Sequence, residues 1–389
     1  MKTIARTILF VLIAAGIMTG SAQAAENYRI AWSHYTGWEP WEYARSSGIL
    51  DKWAQKYNIE IKLELVNDYI ESINLYTAGI YDGCTMTNMD ALTIPAVGGI
   101  DSTALIIGDF SNGNDGIVVK NGKIVADLKG REVKLVELSV SHYLLARALA
   151  MNDMTEQDLS LVNTSDADIA ALFTSEDNGA VVTWNPQLMQ CRNASGANLV
   201  FDSSHIPGEI IDLMVVRSNA SAALKKALTG AWYETMAVMT SKSMQAKEAI
   251  AQMARFAGGN ASAALKKALT GAWYETMAVM TSKSMQAKEA IAQMARFAGG
   301  TEAEFRAQLR TTAMFYRPER AAEFAAGAKV KETMEYVRAF CFDHGLFGDA
   351  DSKDFVGMSF PDGTVIGDKN NIRLRFDAEF MQLAADGKL

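Results

Sequence analysis

Five segments follow one another in the middle of the chain: "KIVADLKGREVKLV" (123–136), "SVSHYLLARALAMND" (139–153), "DLSLVNT" (158–164), "DADIAALFTS" (166–175) and "GAVVTW" (179–184). The first turns and then alternates apolar and charged residues, as a strand does. The second and fourth carry apolar residues at helical spacing, and the third and fifth are short β-branched runs. A strand–helix–strand–helix–strand order within about sixty residues predicts parallel strands linked by helical crossovers.

The same alternation extends toward the N-terminus. "YRIAWS" (28–33) and the strictly alternating "IEIKLELV" (59–66) predict strands, with a helix over roughly 40–57 between them. "YIESINLYTAG" (69–79) and "MDALTIPAVGG" (89–99) predict helices around the short strand "DGCTMT" (82–87). "STALIIGDF" (102–110) and "GIVVK" (116–120) are two further strands. Toward the C-terminus come "ANLVFDSS" (197–204) and a return strand, "IDLMVVR" (211–217); from residue 219 the chain is read as largely helical. The expected class is α/β with two units, the first resuming after the second.

The stretch after residue 218 holds a 41-residue segment twice in tandem, 219–259 and 260–300, identical at every position. Natural repeat arrays drift because each copy meets different neighbours. Identity with only two copies reads as an insertion into an existing fold. Each copy predicts two helices, the first striped by Leu224, Leu228, Ala231, Thr235 and Val238, the second by Ala246, Ile250, Met253 and Ala257. Gly230 weakens the first by about 1 kcal/mol. Trp232 and its duplicate Trp273 read as core. Identical segments compete for one place, and one solution takes the first helix from copy one and the second from copy two. One helical pair is then extra, protruding or loosely packed.

Residues 1–24 combine Lys2 and Arg6, an apolar run over 8–18 and a small-residue cleavage site at Ala22-Gln23-Ala24. This is a secretory leader, too short to span a bilayer. Loss of the leader's two bases takes the net charge from −8 to −10. An acidic chain is a poor partner for nucleic acid or anionic lipid. Cys84, Cys191 and Cys341 lack metal-site spacing and read as buried thiols. The four histidines are scattered, and no nucleophile elbow is present. No catalytic residue, metal or cofactor is expected.

Ligands of open α/β sheets bind beyond the carboxyl ends of the strands. The strand-end residues are therefore the candidates: Ser33, Tyr35, Trp38 and Glu39; Asp68; Asn88 and Asp90; Asp109; and in the second unit Glu137, Ser141, His142, Trp184, Asn185 and Asp202. Tyr69, Thr87 and Asp115 share those strand ends. Asp68 and Asp90 also stand where Asp caps helices, and His34 and His142 also fit core positions. These tips carry carboxylates and aromatics and no Lys or Arg. Aromatic faces attract cations and carboxylates accept their hydrogen bonds, whereas an oxyanion is normally met by bases or helix N-termini. The expected ligand is a cationic or amide nitrogen compound, ahead of an oxyanion.

The ordered set "ADLKGREVKLV", "HYLLARAL", "DADIAAL" and "GAVVTWNPQL" resembles the periplasmic substrate-binding proteins of ABC importers, of the nitrate/sulfonate/taurine/thiamine-precursor type. "WSHYTGWEPWEYA", "TTAMFYRPERAAEF" and "FPDGTVIGDKNNIRLRFD" are similar to the binding proteins of urea carboxylase gene regions. The resemblance implies the type II binding-protein fold: lobe 1 from 25–118 and 219–389, lobe 2 from 119–218, and hinges near "VVKNG" and "VVRSN". It implies a periplasmic, monomeric, non-enzymatic receptor that captures a solute such as urea or guanidine and docks on an inner-membrane permease with its ATPase. An oxyanion-binding protein, a sensory module and a thiamine-precursor enzyme are the alternatives. Against the last, this sequence lacks the cysteine-rich iron-binding segment those enzymes carry.

Overall fold

A computed structural model describes residues 25–240 and 286–389. Two sheets organise the described residues. The first has eight strands in the order β12-β11-β13-β4-β10-β3-β1-β2, the second five in the order β7-β6-β8-β5-β9. Strands β1 (Glu26–Trp32), β2 (Ile59–Leu65), β3 (Gly83–Thr87), β4 (Ser102–Phe110) and β10 (Ile211–Arg217) belong to the first. Strands β5 (Asp115–Lys120), β6 (Glu132–Leu135), β7 (Ser160–Asn163), β8 (Ala180–Trp184) and β9 (Ala197–Asp202) make the second. The pairs β1–β2 and β6–β7 are parallel, as the crossovers require. The two-sheet α/β class is the expected one.

Sheet membership moves both boundaries between the units. "VVK" lies within β5 of the second sheet and "VVR" within β10 of the first. The chain therefore passes between sheets at 111–114 and 203–210, not at the two stretches expected. The two passages are tied together: Ser111 and Ser203 hydroxyls are 2.6 Å apart, and Ser203 Oγ accepts the Gly113 N–H at 2.8 Å. The reason is register: β5 and β10 each pair along their whole length inside one sheet, so no free backbone remains at their outer ends to bend.

Three further differences have local causes. The helix over 40–57 is two helices, Glu39–Ser46 and Ile49–Lys56, parted at Gly48, whose φ of 77° is left-handed. The helix at 89–99 is a single turn, Asn88–Ala91, that widens into a π-turn over Leu92–Ala96 around Pro95. The C-terminal region is not all helical: β11 (Gly357–Ser359), β12 (Val365–Ile366) and β13 (Ile372–Phe376) extend the first sheet, β13 pairing parallel with β4.

Of the duplicated segment, the described residues hold the first helix of copy one, Ala222–Thr240, and the second helix of copy two, 286–297. Both enter the main core, through Leu224, Leu228 and Trp232 in one and Ala290, Ile291 and Met294 in the other. Trp232 packs against Trp41 in a tilted pair with ring centroids 5.0 Å apart, both about 1% exposed. Gly230 sits where a Cβ would overlap the ring of Trp53, so its helix-weakening cost permits that packing. The intervening residues, to which the expected extra helical pair belongs, lie outside the described residues, as does the expected leader. All three cysteines are free and buried. Among the described residues no helix is long and apolar enough to cross a membrane.

Candidate functional site

Strand pairing assembles the site. In the first sheet Asp212, the second residue of β10, lies opposite Thr87 of β3 on one side and Asp109 of β4 on the other. Directly opposed residues share a face, so Thr87, Asp212 and Asp109 form one row across three strands. In the second sheet Asp115, which begins β5, lies opposite Trp184, which ends β8. The two rows face each other across a small cavity lined by Tyr35, Trp38, Tyr69, Thr87, Asp115, Val140, Trp184, Ile210 and Asp212. Its enclosed volume is about 10 Å³, close to the minimum for one water, so a solute of a few heavy atoms would have to part the walls to enter.

One wall is aromatic and continuous. Ring centroids run Tyr35–Trp38 at 5.0 Å, Trp38–Tyr69 at 5.6 Å and Tyr69–Trp184 at 5.6 Å. The first three rings come from the first unit and Trp184 from the second, its Nε1 donating to the His34 carbonyl at 3.4 Å. Tyr69 is held by Asp90, which accepts its hydroxyl at 2.5 Å and the Thr87 hydroxyl at 2.7 Å. Tyr35 donates to Asp109 at 3.0 Å. The chain reaches Asp109 this closely because residue 37 is Gly; a Cβ there would overlap Asp109 Oδ2.

The other wall is acidic. Asp109, Asp115 and Asp212 are at most 2% exposed, and each has one carboxyl oxygen without a protein partner. Among the described residues no Lys, Arg or His lines the cavity. Burial pushes the Asp115 carboxyl up to about 7, less a contribution from Ser111. Burial likewise takes Asp109 to about 7, against hydrogen bonds from Asp212 and Tyr35. Asp212 is raised well above the ordinary range by burial and then by its two acidic neighbours. Asp212 thus keeps its proton and shares it with Asp109, and a cation in the cavity would let all three ionise.

The structure brings three of the sequence candidates, Tyr35, Trp38 and Trp184, to the cavity wall, with Asp109 and Asp90 directly behind. Ser141 and Asn185, beside the wall residues Val140 and Trp184, are buried and each leaves one oxygen unpartnered; so does Ser33. The rest have other duties. Glu39 pairs with His34 at 2.8 Å. Asp68 caps its helix through the Glu71 N–H at 2.9 Å and accepts Ser165 from the facing unit at 2.9 Å. Asn88 braces the second passage, accepting the Ile211 N–H at 3.0 Å. Glu137 lies with Asp68 in a groove at the outer edge of the interface. His142 is bound to Glu156 at 3.0 Å. Asp202 caps the turn Ser203–His205. These polar groups sit at strand ends to satisfy the backbone, so strand-end position alone does not select ligand contacts. Sequence reasoning missed Asp212; the available signal was one acid inside the apolar run "IDLMVVR".

No protein-family model and no curated protein matches the sequence. Solved structures share the fold. The alkanesulfonate-binding protein SsuA of Xanthomonas axonopodis pv. citri, bound to MOPS, is 15% identical with a TM-score of 0.59, covering 84% of this chain and 96% of that one. The periplasmic aliphatic sulphonate binding protein SsuA of Escherichia coli is 16% identical with a TM-score of 0.60, over 83% and 94%. A putative periplasmic sulfonate-binding protein of Methylobacillus flagellatus is 12% identical with a TM-score of 0.57, over 94% and 96%. The chain therefore has the two-sheet fold of periplasmic binding proteins.

Proposed function

We propose that this protein is an extracytoplasmic solute receptor that captures a small nitrogen-rich cation, guanidinium being the simplest, between its two units. The observation that carries this reading is the buried cavity itself: two carboxylates and four aromatic rings line it, a third carboxylate stands behind, and among the described residues no base lines it. A planar cation with several N–H donors meets both walls, its face on the rings and its edge on Asp115 and Asp212. Urea fits the same plane without the charge and should bind more weakly. A sulfonate or nitrate would face Asp115 with no compensating base. The leader sequence supports export to the periplasm. The resemblance to binding proteins of urea carboxylase gene regions supports a nitrogen compound as cargo, and an ABC permease with its ATPase as the partner of a monomeric, non-catalytic receptor. Calorimetric titration at pH 8 and low salt with guanidinium, urea, taurine and nitrate tests it. Guanidinium should bind most tightly. Tight taurine or nitrate binding without a guanidinium response would overturn it.

A further inference from the structure

Away from the cavity, His142, Glu156 and His344 each offer a ligand-type atom, and the three atoms lie within 4.8 Å of one another. His142 is on the helix Val140–Ala150 and Glu156 opens the turn Glu156–Asp158, both in the second unit. His344 caps the helix Ala328–Asp343, which packs on the first. Both imidazole Nε2 atoms are 3.0 Å from the same Glu156 Oε1.

Two imidazoles and a carboxylate are a set zinc accepts, but the hydrogen bonds point elsewhere. His142 Nδ1 accepts the Leu138 N–H at 3.1 Å. Its proton is then on Nε2, donated to Glu156, and no lone pair is left there for a metal. His344 Nδ1 is 2.8 Å from the Phe340 carbonyl, which only accepts, so this nitrogen carries a proton. His344 Nε2 faces a carboxylate oxygen, and attraction requires a second proton on the ring. The arrangement closes with His142 neutral, Glu156 ionised and His344 an imidazolium.

We infer that His344 and Glu156 form a proton-dependent latch across the two units, made when His344 is an imidazolium and released when it loses that proton. The surrounding charges agree. Glu156 is held down to about 2 by the hydrogen bonds from His142 and His344. His344 is raised by the Glu156 hydrogen bond, against burial, with help from the Phe340 carbonyl and the charges of Glu156 and Asp343. Because the latched form raises the affinity of His344 for its proton, the latch is at full strength below the ordinary histidine range. It is lost as pH rises through the raised value. Both side chains are about one-quarter exposed, so the change in the closed-to-open ratio should be about two- to fivefold.

The test uses the ligand-free protein and is independent of the identity of the solute. Cysteines replacing the exposed Glu60 and Asp168, one in each unit, take spin labels; the native thiols are buried. Distance distributions are recorded at pH 6 and pH 9 for the otherwise native chain, His344→Gln and Glu156→Gln. Asp109 and Asp115 titrate in all three, so the difference between chains is the readout. The native latch should give a closed-to-open ratio about two- to fivefold above both variants at pH 6 and equal to them at pH 9. A pH-independent difference, or none, overturns the inference. So does a shortening by micromolar Zn²⁺ that His344→Gln abolishes, which would make the cluster a metal site.

Discussion

Replacing Asp115 by Asn should stabilise the ligand-free protein and weaken its ligand binding, and both sizes follow from where the carboxyl sits. Asp115 is 2% exposed with Oδ2 unpartnered, and burial moves its pKa from 3.8 to about 7. The folded state therefore holds this proton more tightly than the unfolded chain does. That contribution is complete below about pH 4 and is lost as pH climbs to about 7, on the order of 4 kcal/mol in all. Asn does not ionise and avoids the loss. The hydrogen bond to Ser111 returns about 1 kcal/mol of the gain, so Asp115→Asn should be about 3 kcal/mol more stable at pH 8 and nearly equal at pH 5. Urea unfolding of both chains at the two pH values measures this. Binding runs the other way: removing one partner of a buried charge pair costs about 2–5 kcal/mol, so guanidinium affinity should fall at least about thirtyfold. A variant less stable than the native protein at pH 8 with binding intact would refute the placement of Asp115 as a buried charge awaiting a cation.

Trp184→Ala removes a ring of the aromatic wall and a contact between the units. It should weaken guanidinium binding about five- to thirtyfold by calorimetry, from a cation–π interaction of about 1–2 kcal/mol, with Trp184→Phe retaining most of the affinity. Gly37→Ala forces a Cβ into Asp109 and should cost about 1–3 kcal/mol in chemical denaturation as well as affinity. Gly230→Ala meets the Trp53 ring and should destabilise by a similar amount, while the same change at the duplicated Gly271 should not; equal effects would refute the assignment of the copy-one helix to the core. Deleting residues 241–281 leaves a single copy of the duplicated segment, and cooperative unfolding and guanidinium binding should both survive.

Most elements were legible in the sequence because their signals are local. The strict alternation of "IEIKLELV" is a strand half-exposed along one edge, and the run "STALIIGDF" is β4 to the residue. Asp68 as a helix cap and the cysteines as buried thiols are equally local readings. The charge character of the site was legible too, since the strand-end tips lack bases wherever they fold. The three C-terminal strands were not: β11 and β12 are three and two residues long, too short to show a period. The reading of the passages between units also failed, since β5 and β10 look alike as apolar runs and only pairing assigns them to different sheets.

By itself, then, the amino-acid order determined an α/β chain with acidic, aromatic strand ends, because periodicity and composition need no partner to be read. The tertiary structure alone decided which of those groups meet. Asp212 reaches Asp109 and Thr87 through strand pairs that join residues more than one hundred positions apart. Trp184 completes an aromatic wall begun at Tyr35, and His344 finds Glu156 across the two units. It also put the first helix of one copy and the second helix of the other into a single core, a choice that two identical sequences cannot express. Contacts between distant segments depend on register and packing, and neither is written in the local pattern.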